Sequence, residues 1–316
     1  MTGQRAEGAG DARPTSVKGE FLLPVLEFNL PGTLDGGQAF RWHRLEDDDG
    51  YRGVVGRSVL EVRAAPNGLA VTVVSGQQPS PGTTYGDVIG RYLGLDDDLE
   101  ALRAKYATDP GLGPAMSGYL GLRLLRQDPW ECLCGFICSA TSNIPRIKLN
   151  MGALAATLGE RVGTGPDDYA FPGPKAVAAA GEQSARDLGW GFRARYLEGA
   201  AVAVASGALV LESLLDASYE EARDALVALD GVGPKIADCV LAFSLSKGEA
   251  FPVDRWVRRA MEEWYGATEK MTNDEIGRMA RERFGEDAAY ANQYLFHRQR
   301  LAAQASMSRG RVGNRP

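Results

Sequence analysis

Histidine is almost absent from this chain. His43 and His297 are the only two, which removes histidine-rich metal sites and nucleophilic triads built on an imidazole base. Cysteine is scarce too. Three of the four, Cys132, Cys134 and Cys138, share one apolar stretch. Residues two apart on a helix do not face each other, and no histidine stands nearby. Buried thiols are therefore expected there, and no metal. No apolar run approaches the ~20 residues that cross a bilayer. Residues 1–19 are small and polar without a signal-peptide core, so they read as a disordered tail on an intracellular protein, of the cytoplasm or nucleoid in a prokaryote and the nucleus in a eukaryote.

An excess of positive charge is also missing. The balance of 35 Lys and Arg against 41 Asp and Glu gives −6, which speaks against binding a polyanion through bulk charge. The acid is concentrated, however, in Glu46-Asp47-Asp48-Asp49 and Asp96-Asp97-Asp98. These runs read as solvated loops. Basic groups stand apart from them: Arg123 and Arg126, Arg146 and Lys148, Arg193 and Arg195, and Arg255, Arg258 and Arg259. Local potential governs phosphate contact more than the total does.

Against these absences stands Leu229-Asp230-Gly231-Val232-Gly233-Pro234-Lys235. Ser218 and Glu221 form a capping box that opens a helix, with Ala222, Ala225, Leu226 and Leu229 on one face. The glycines break that pattern, Pro234 suits the first position of a new helix, and Ile236, Cys239, Val240 and Phe243 supply its apolar stripe. Amides at Gly231, Gly233 and Lys235 lie where a helix N-terminus attracts phosphate. An ordinary helix–turn–helix connection has the same outline. Lys235 and Cys239 share a helix face. The helix dipole disfavours a cation at Lys235, which favours the free amine, a nucleophile able to attack a sugar C1′ and form a Schiff base. Downstream, Asp254 in Pro252-Val253-Asp254 can return to the amine and stabilise positive charge on the sugar. It can equally cap the helix that starts near Arg255.

GVGPKIADC followed by PVD resembles the helix-hairpin-helix DNA glycosylases, and specifically the 8-oxoguanine DNA glycosylase family. Three more segments agree, in the family's order over about 20–303: Gly37-Gln38-Ala39-Phe40-Arg41-Trp42, Arg123-Leu124-Leu125-Arg126-Gln127-Asp128-Pro129-Trp130-Glu131-Cys132-Leu133, and Gly189-Trp190-Gly191-Phe192-Arg193-Ala194-Arg195-Tyr196. Four motifs in order are far more specific than one glycine pattern. No four-cysteine array follows Asp254, unlike the iron–sulfur branch resembling endonuclease III.

The expected fold class is α+β: an N-terminal antiparallel sheet, related in the family to the TATA-binding-protein half, packed on a mainly α-helical glycosylase domain. Alternation supports strands in 21–75, where Leu60, Val62 and Ala64 face one way and Leu69, Val71 and Val73 follow the turn Pro66-Asn67-Gly68. Helices are read at 99–106, 147–158, 182–188, 196–205, 272–284 and 288–303. The domain boundaries are a tail over 1–19, the sheet domain with flanking helices over 20–110, the helical domain over 111–303, and a tail over 304–316 carrying Arg309, Arg311 and Arg315.

The resemblance also implies roles. A base stacked in a duplex is out of reach, so the nucleotide is extruded into a pocket. Gly37 matches the glycine whose carbonyl accepts the N7 hydrogen of 8-oxoguanine. Phe296 and Cys239 match the groups on the two faces of the base. Asn292 stands where the family's edge-reading glutamine is, and Gln293 follows it, so either can read the base. On the opposite strand Asn143 and Arg146 match, while Thr141 and Ser142 replace two asparagines, which relaxes selectivity for cytosine. Arg193 matches a second cytosine-reading arginine and Phe192 an intercalating wedge.

The implied activity is base-excision repair: a bifunctional glycosylase and abasic-site lyase that removes 8-oxoguanine from duplex DNA, acting as a monomer, with Lys235 and Asp254 catalytic. No catalytic metal or redox cofactor is implied. A structural monovalent cation at the hairpin carbonyls is compatible with the superfamily. Two alternatives are an alkylated-base glycosylase of the 3-methyladenine type, which needs no lysine, and a non-catalytic DNA-binding module that keeps only the phosphate grip.

Overall fold

The computed structural model describes residues 18–47 and 49–312, with side chains as far as residue 302. Most of the expected N-terminal tail, Asp48, the side chains of Arg309 and Arg311, and Arg315 lie outside the described residues.

Five strands, β1 (Gly19–Pro24), β2 (Trp42–Arg44), β3 (Gly50–Val55), β4 (Ser58–Ala65) and β5 (Gly68–Ser75), form one antiparallel sheet in the order β1-β5-β4-β3-β2. Alternation works as expected: Val62 pairs with Val71 and Leu60 with Val73, all four buried. A register shift between Val59 and Leu60 buries both neighbours, and Ala64 ends up exposed. The stretch read as strand throughout 21–75 also holds a short helix, α1 (Leu30–Leu34), started by the Asn29 side chain accepting from Gly32 N at 2.8 Å. Its length of one turn leaves no periodicity to detect.

Twelve helices follow: α2 (Tyr85–Tyr92), α3 (Leu99–Lys105), α4 (Leu112–Gly118), α5 (Pro129–Cys138), α6 (Ile144–Leu158), α7 (Pro174–Asp187), α8 (Ala194–Ala205), α9 (Tyr219–Val227), α10 (Pro234–Phe243), α11 (Arg255–Tyr265), α12 (Asn273–Phe284) and α13 (Ala288–Val312). The helix read at 182–188 is the second half of α7, divided by Gly181 at φ 74°. The backbone of α13 stays helical well past 303. One apolar core joins α5, α6, α8, α9 and α10; a second joins α3, α4, α11, α12 and α13; a third lies under the sheet. No helix among the described residues is long and apolar enough to cross a membrane.

Much of the charge expected to face a ligand is spent on the fold. The acidic run at 96–98 is exposed at Asp96 and Asp98, as expected of a solvated loop, but it is also paired. Arg126 grips Asp96 and, at 2.6 Å, Asp97, and Tyr290 donates to Asp97 at 2.6 Å. Arg123 is buried and donates to the carbonyls of Gly94 and Asp97. Asp98 caps α3. Lys148 bonds Asp35 at 2.7 Å, and Arg258 bonds Asn273 and the Met271 carbonyl. Arg146, Arg255 and Arg259 have no carboxylate partner among the described residues.

Gln38 latches the sheet domain to the segment leading into α5. Fully buried, it donates to the carbonyls of Thr33 (3.0 Å) and Arg123 (2.8 Å) and accepts from Leu125 N (2.9 Å). Gln38→Leu strands these backbone groups and is expected to cost about 2–4 kcal/mol. A urea unfolding curve with a lowered midpoint and unchanged slope checks it.

Candidate active site

The site begins with a buried helix. Every residue of α10 from Ile236 to Phe243 is buried, so only its first turn emerges, carrying Lys235. The turn before it is fixed by Gly231, at φ 80°, where an added Cβ would fall 2.2 Å from the ring of Tyr196. No side chain fits there in that conformation. Gly233 differs. Its φ of −86° is open to any residue, and a Cβ would meet nothing within 4 Å. Neither conformation nor packing demands this glycine. The amides of Gly231, Gly233 and Lys235 donate to no backbone acceptor among the described residues.

Lys235 points into a cavity of about 1190 Å³ between the two helical cores. Its Nζ lies 3.4 Å from Ser139 Oγ and 5.3 Å from the centre of the Phe136 ring. Asp254 lines the same cavity. One of its oxygens, Oδ1, accepts from Trp256 N (2.8 Å) and Val257 N (2.9 Å), so it is the cap of α11 as well as a cavity wall. The cap read from the sequence is therefore present, and the same carboxylate lines the cavity that Lys235 lines. Cys239 lines the same cavity: burial pushes its thiol up to about 12, with Lys235 pulling it back and Asp238 and Asp254 adding to the rise.

The opposite wall is Gly37, Asn292, Gln293 and Phe296. Gly37 is at φ 95°, and a Cβ there would lie 2.8 Å from Ile144 Cδ1. Asn292 is committed elsewhere, its Nδ2 donating to the Pro252 carbonyl at 2.9 Å. Gln293 is buried, and its Nε2 has no hydrogen-bond partner.

Thr141, Ser142 and Asn143 also line the cavity, whereas Arg146, Phe192, Arg193 and Gly231 stand outside its lining. Phe192 is half-exposed and packs edge-on against Tyr196, the ring under Gly231. Thr141 sits at φ 48°, a strained left-handed conformation for a β-branched residue. Asn143 caps α6 by accepting from Arg146 N at 3.0 Å. The donors of Arg193 are occupied by the α5–α6 loop: Nε bonds the Ala140 carbonyl (2.6 Å) and Nη2 bonds Thr141 O (3.0 Å) and Oγ1 (3.2 Å). Sequence reasoning missed Ser139, Asp238, Trp256 and Arg300 on the cavity wall. Arg300 follows Phe296 by one turn, a spacing that would have found it.

The two hairpin glycines separate architecture from ligand contact. Gly231→Ala is expected to lose about 1–3 kcal/mol of stability through strain. Gly233→Ala should change it by no more than about 0.5 kcal/mol while weakening duplex binding, because its methyl occupies space a phosphate would use. Thermal melts beside fluorescence anisotropy on duplex DNA check both.

A family model described as the N-terminal domain of 8-oxoguanine DNA glycosylase matches residues 20–133, and one described as the HhH-GPD superfamily base excision DNA repair protein matches 134–286. The N-glycosylase/DNA lyase OGG1 of Arabidopsis thaliana is 33% identical over 293 residues, covering 87% of this chain and 78% of the relative. The N-glycosylase/DNA lyase of Saccharomyces cerevisiae is 30% identical over 260 residues, covering 76% of this chain and 69% of the relative. The crystal structure of Clostridium acetobutylicum 8-oxoguanine glycosylase/lyase with double-stranded DNA containing cytosine opposite 8-oxoguanine superposes with a TM-score of 0.80 at 32% identity, covering 87% of this chain and 93% of that one. With its antiparallel sheet, its hairpin ahead of Lys235 and these matches along nearly all of its described length, the chain belongs to the 8-oxoguanine DNA glycosylase family of the helix-hairpin-helix superfamily.

Proposed function

We propose that this chain excises 8-oxoguanine from duplex DNA and then cleaves the strand, with Lys235 as nucleophile and Asp254 as its electrostatic partner. The observation that carries this is the convergence of Lys235, Cys239 and Asp254 in one cavity large enough for an extruded nucleotide. As the bond from Nζ to C1′ forms, the bond from C1′ to N9 breaks. The base leaves with the electron pair, and the proton given up by the amine ends on the departing base. The sugar ring then opens to a Schiff base, a C2′ proton is lost, and the 3′ phosphate departs by β-elimination. Asp254 faces the cationic sugar with a carboxylate whose position is set by the start of α11, so little reorganisation is needed as charge develops.

Recognition divides over the two walls. Phe296 and Cys239 cover the faces of the base, and the Gly37 carbonyl accepts the N7 hydrogen that guanine lacks. Gln293 rather than Asn292 reads the pyrimidine edge, since the Asn292 amide is engaged with Pro252 whereas Gln293 Nε2 is buried without an acceptor that O6 of the base would supply. Opposite the lesion, Arg146 is the guanidinium with no carboxylate partner, and Arg193 reaches a cytosine only by releasing the α5–α6 loop. Thr141 in place of asparagine relaxes the choice of opposite base. The free amides of the hairpin grip the backbone. The carbonyls of Asp230, Gly231 and Val232 accept no backbone hydrogen bond among the described residues, a donor set that fits a structural monovalent cation. The protein works as a monomer wherever its cell keeps DNA.

An alkylated-base glycosylase would have no use for an amine in the cavity, and a non-catalytic module would have no use for the cavity. Borohydride should trap a covalent adduct on 8-oxoguanine duplex, and Lys235→Gln should abolish it. Base release that survives this substitution, or turnover on 3-methyladenine with none on 8-oxoguanine, contradicts the assignment. Gln293→Leu is expected to slow single-turnover release of 8-oxoguanine by about 10- to 100-fold, the worth of one or two buried hydrogen bonds. Cleavage of a preformed abasic site by the same variant should be unchanged.

A further inference from the structure

Among the described residues Arg300 is the cationic side chain that α13 places on the cavity wall beside Phe296 and Gln293, and the reaction as described leaves it without a role. Its guanidinium is half-buried beside the Phe296 ring, 5.9 Å from the ring centre. Its hydrogen bond to the Gly36 carbonyl is 3.4 Å long, well beyond the usual length for a charged donor. No carboxylate lies within ion-pair distance among the described residues. Asp35, whose charge it feels, is bonded to Lys148 at 2.7 Å. Burial pulls the basicity of Arg300 below its ordinary level. A desolvated cation with weak compensation costs folding free energy, so an acceptor supplied from outside would relieve it.

The neighbours of this cation form a pattern. Arg300 Nη1 is 3.8 Å from the place a Cβ would take on Gly37, and Gln293 Nε2 is 3.2 Å from the corresponding place on Gly36. No backbone hydrogen bond to the Gly37 carbonyl is made by the described residues. A donor, an acceptor and a donor are therefore gathered around two consecutive glycines. 8-Oxoguanine offers the complement along one edge: O6 accepts, N7–H donates and O8 accepts. Guanine offers O6, a bare N7 lone pair and a C8–H.

We propose that Arg300 is a specificity-determining residue that donates to O8 of the extruded base, next to the Gly37 carbonyl that takes the N7 hydrogen. This rests on the assignment of 8-oxoguanine as substrate and adds a second point at which the lesion differs from guanine. With guanine in the pocket the Gly37 carbonyl would meet a lone pair and Arg300 would remain without an acceptor. The discrimination then comes from two unsatisfied polar groups instead of one.

Single-turnover base release from an 8-oxoguanine–cytosine duplex is compared with β-elimination at a preformed abasic site opposite cytosine, for the wild type, Arg300→Met and Arg300→Gln. Met removes the donor. Gln keeps a neutral one on a side chain of similar reach. The Met variant is expected to release 8-oxoguanine about 10- to 100-fold more slowly, the Gln variant to recover a substantial part of that loss, and all three to cleave the abasic site alike, which also reports an intact fold. Release by the Met variant at the wild-type rate overturns the proposal. So does a parallel loss of abasic-site cleavage in both variants, which would mean that Arg300 holds the DNA backbone by charge. A wild type that cleaves the abasic site and leaves 8-oxoguanine in place removes the substrate assignment itself, and the proposal with it.

Discussion

Everything at this site depends on how α10 is held. A helix buried on all sides after its first turn has one place to present a functional group, and Lys235 occupies it. The angle at which that turn emerges is set by Gly231 lying flat against Tyr196. From the other core, the start of α11 delivers Asp254, positioned by two backbone amides. Two independently packed bodies thus each contribute one charged group to the space between them, and apolar packing decides where those charges sit. A charge positioned by a packed core needs little rearrangement when the reaction calls on it.

The two glycines of the hairpin show how differently one residue type can be required. Gly231 answers to the interior of the protein and Gly233 to whatever lies outside it. Gly37 combines both demands: a side chain there would strike Ile144, and the residue forms part of the pocket wall. Where a backbone must act as a recognition element, leaving out the side chain is the simplest way to bring it close to a ligand.

Local patterns in the sequence carried a large share of the fold. The alternation across Leu60 and Val62 against Val71 and Val73, the capping boxes at Ser218 and Thr272, and Pro234 after the glycines each marked an element by nearest-neighbour physics. The lysine and aspartate were legible because a hairpin and a downstream cap are both short-range signals. Long-range pairing was not. Asp97 looks like part of a solvated run until Arg126 and Tyr290, distant in sequence, close on it. Half of the arginines counted toward a basic surface, Arg123, Arg126, Arg193 and Arg258, are consumed in this way, and nothing in a charge tally distinguishes a guanidinium bound to carbonyls from one facing solvent. Asn292 and Gln293 could not be ranked from sequence either, because the deciding fact is the Pro252 carbonyl across the cleft.

Asp254 draws its fixed position from the same two amides that begin α11, so the carboxylate belongs to the architecture before it belongs to the reaction. Replacing it with an apolar residue would unsettle a helix that packs against α13 and therefore disturb the wall bearing Phe296. Only an isostere that still offers an oxygen to those amides could take away the charge and leave the scaffold undisturbed. Selection for a properly folded molecule is thereby enough to keep a capping oxygen at this position, whereas the charge on it has to be kept by something other than the fold.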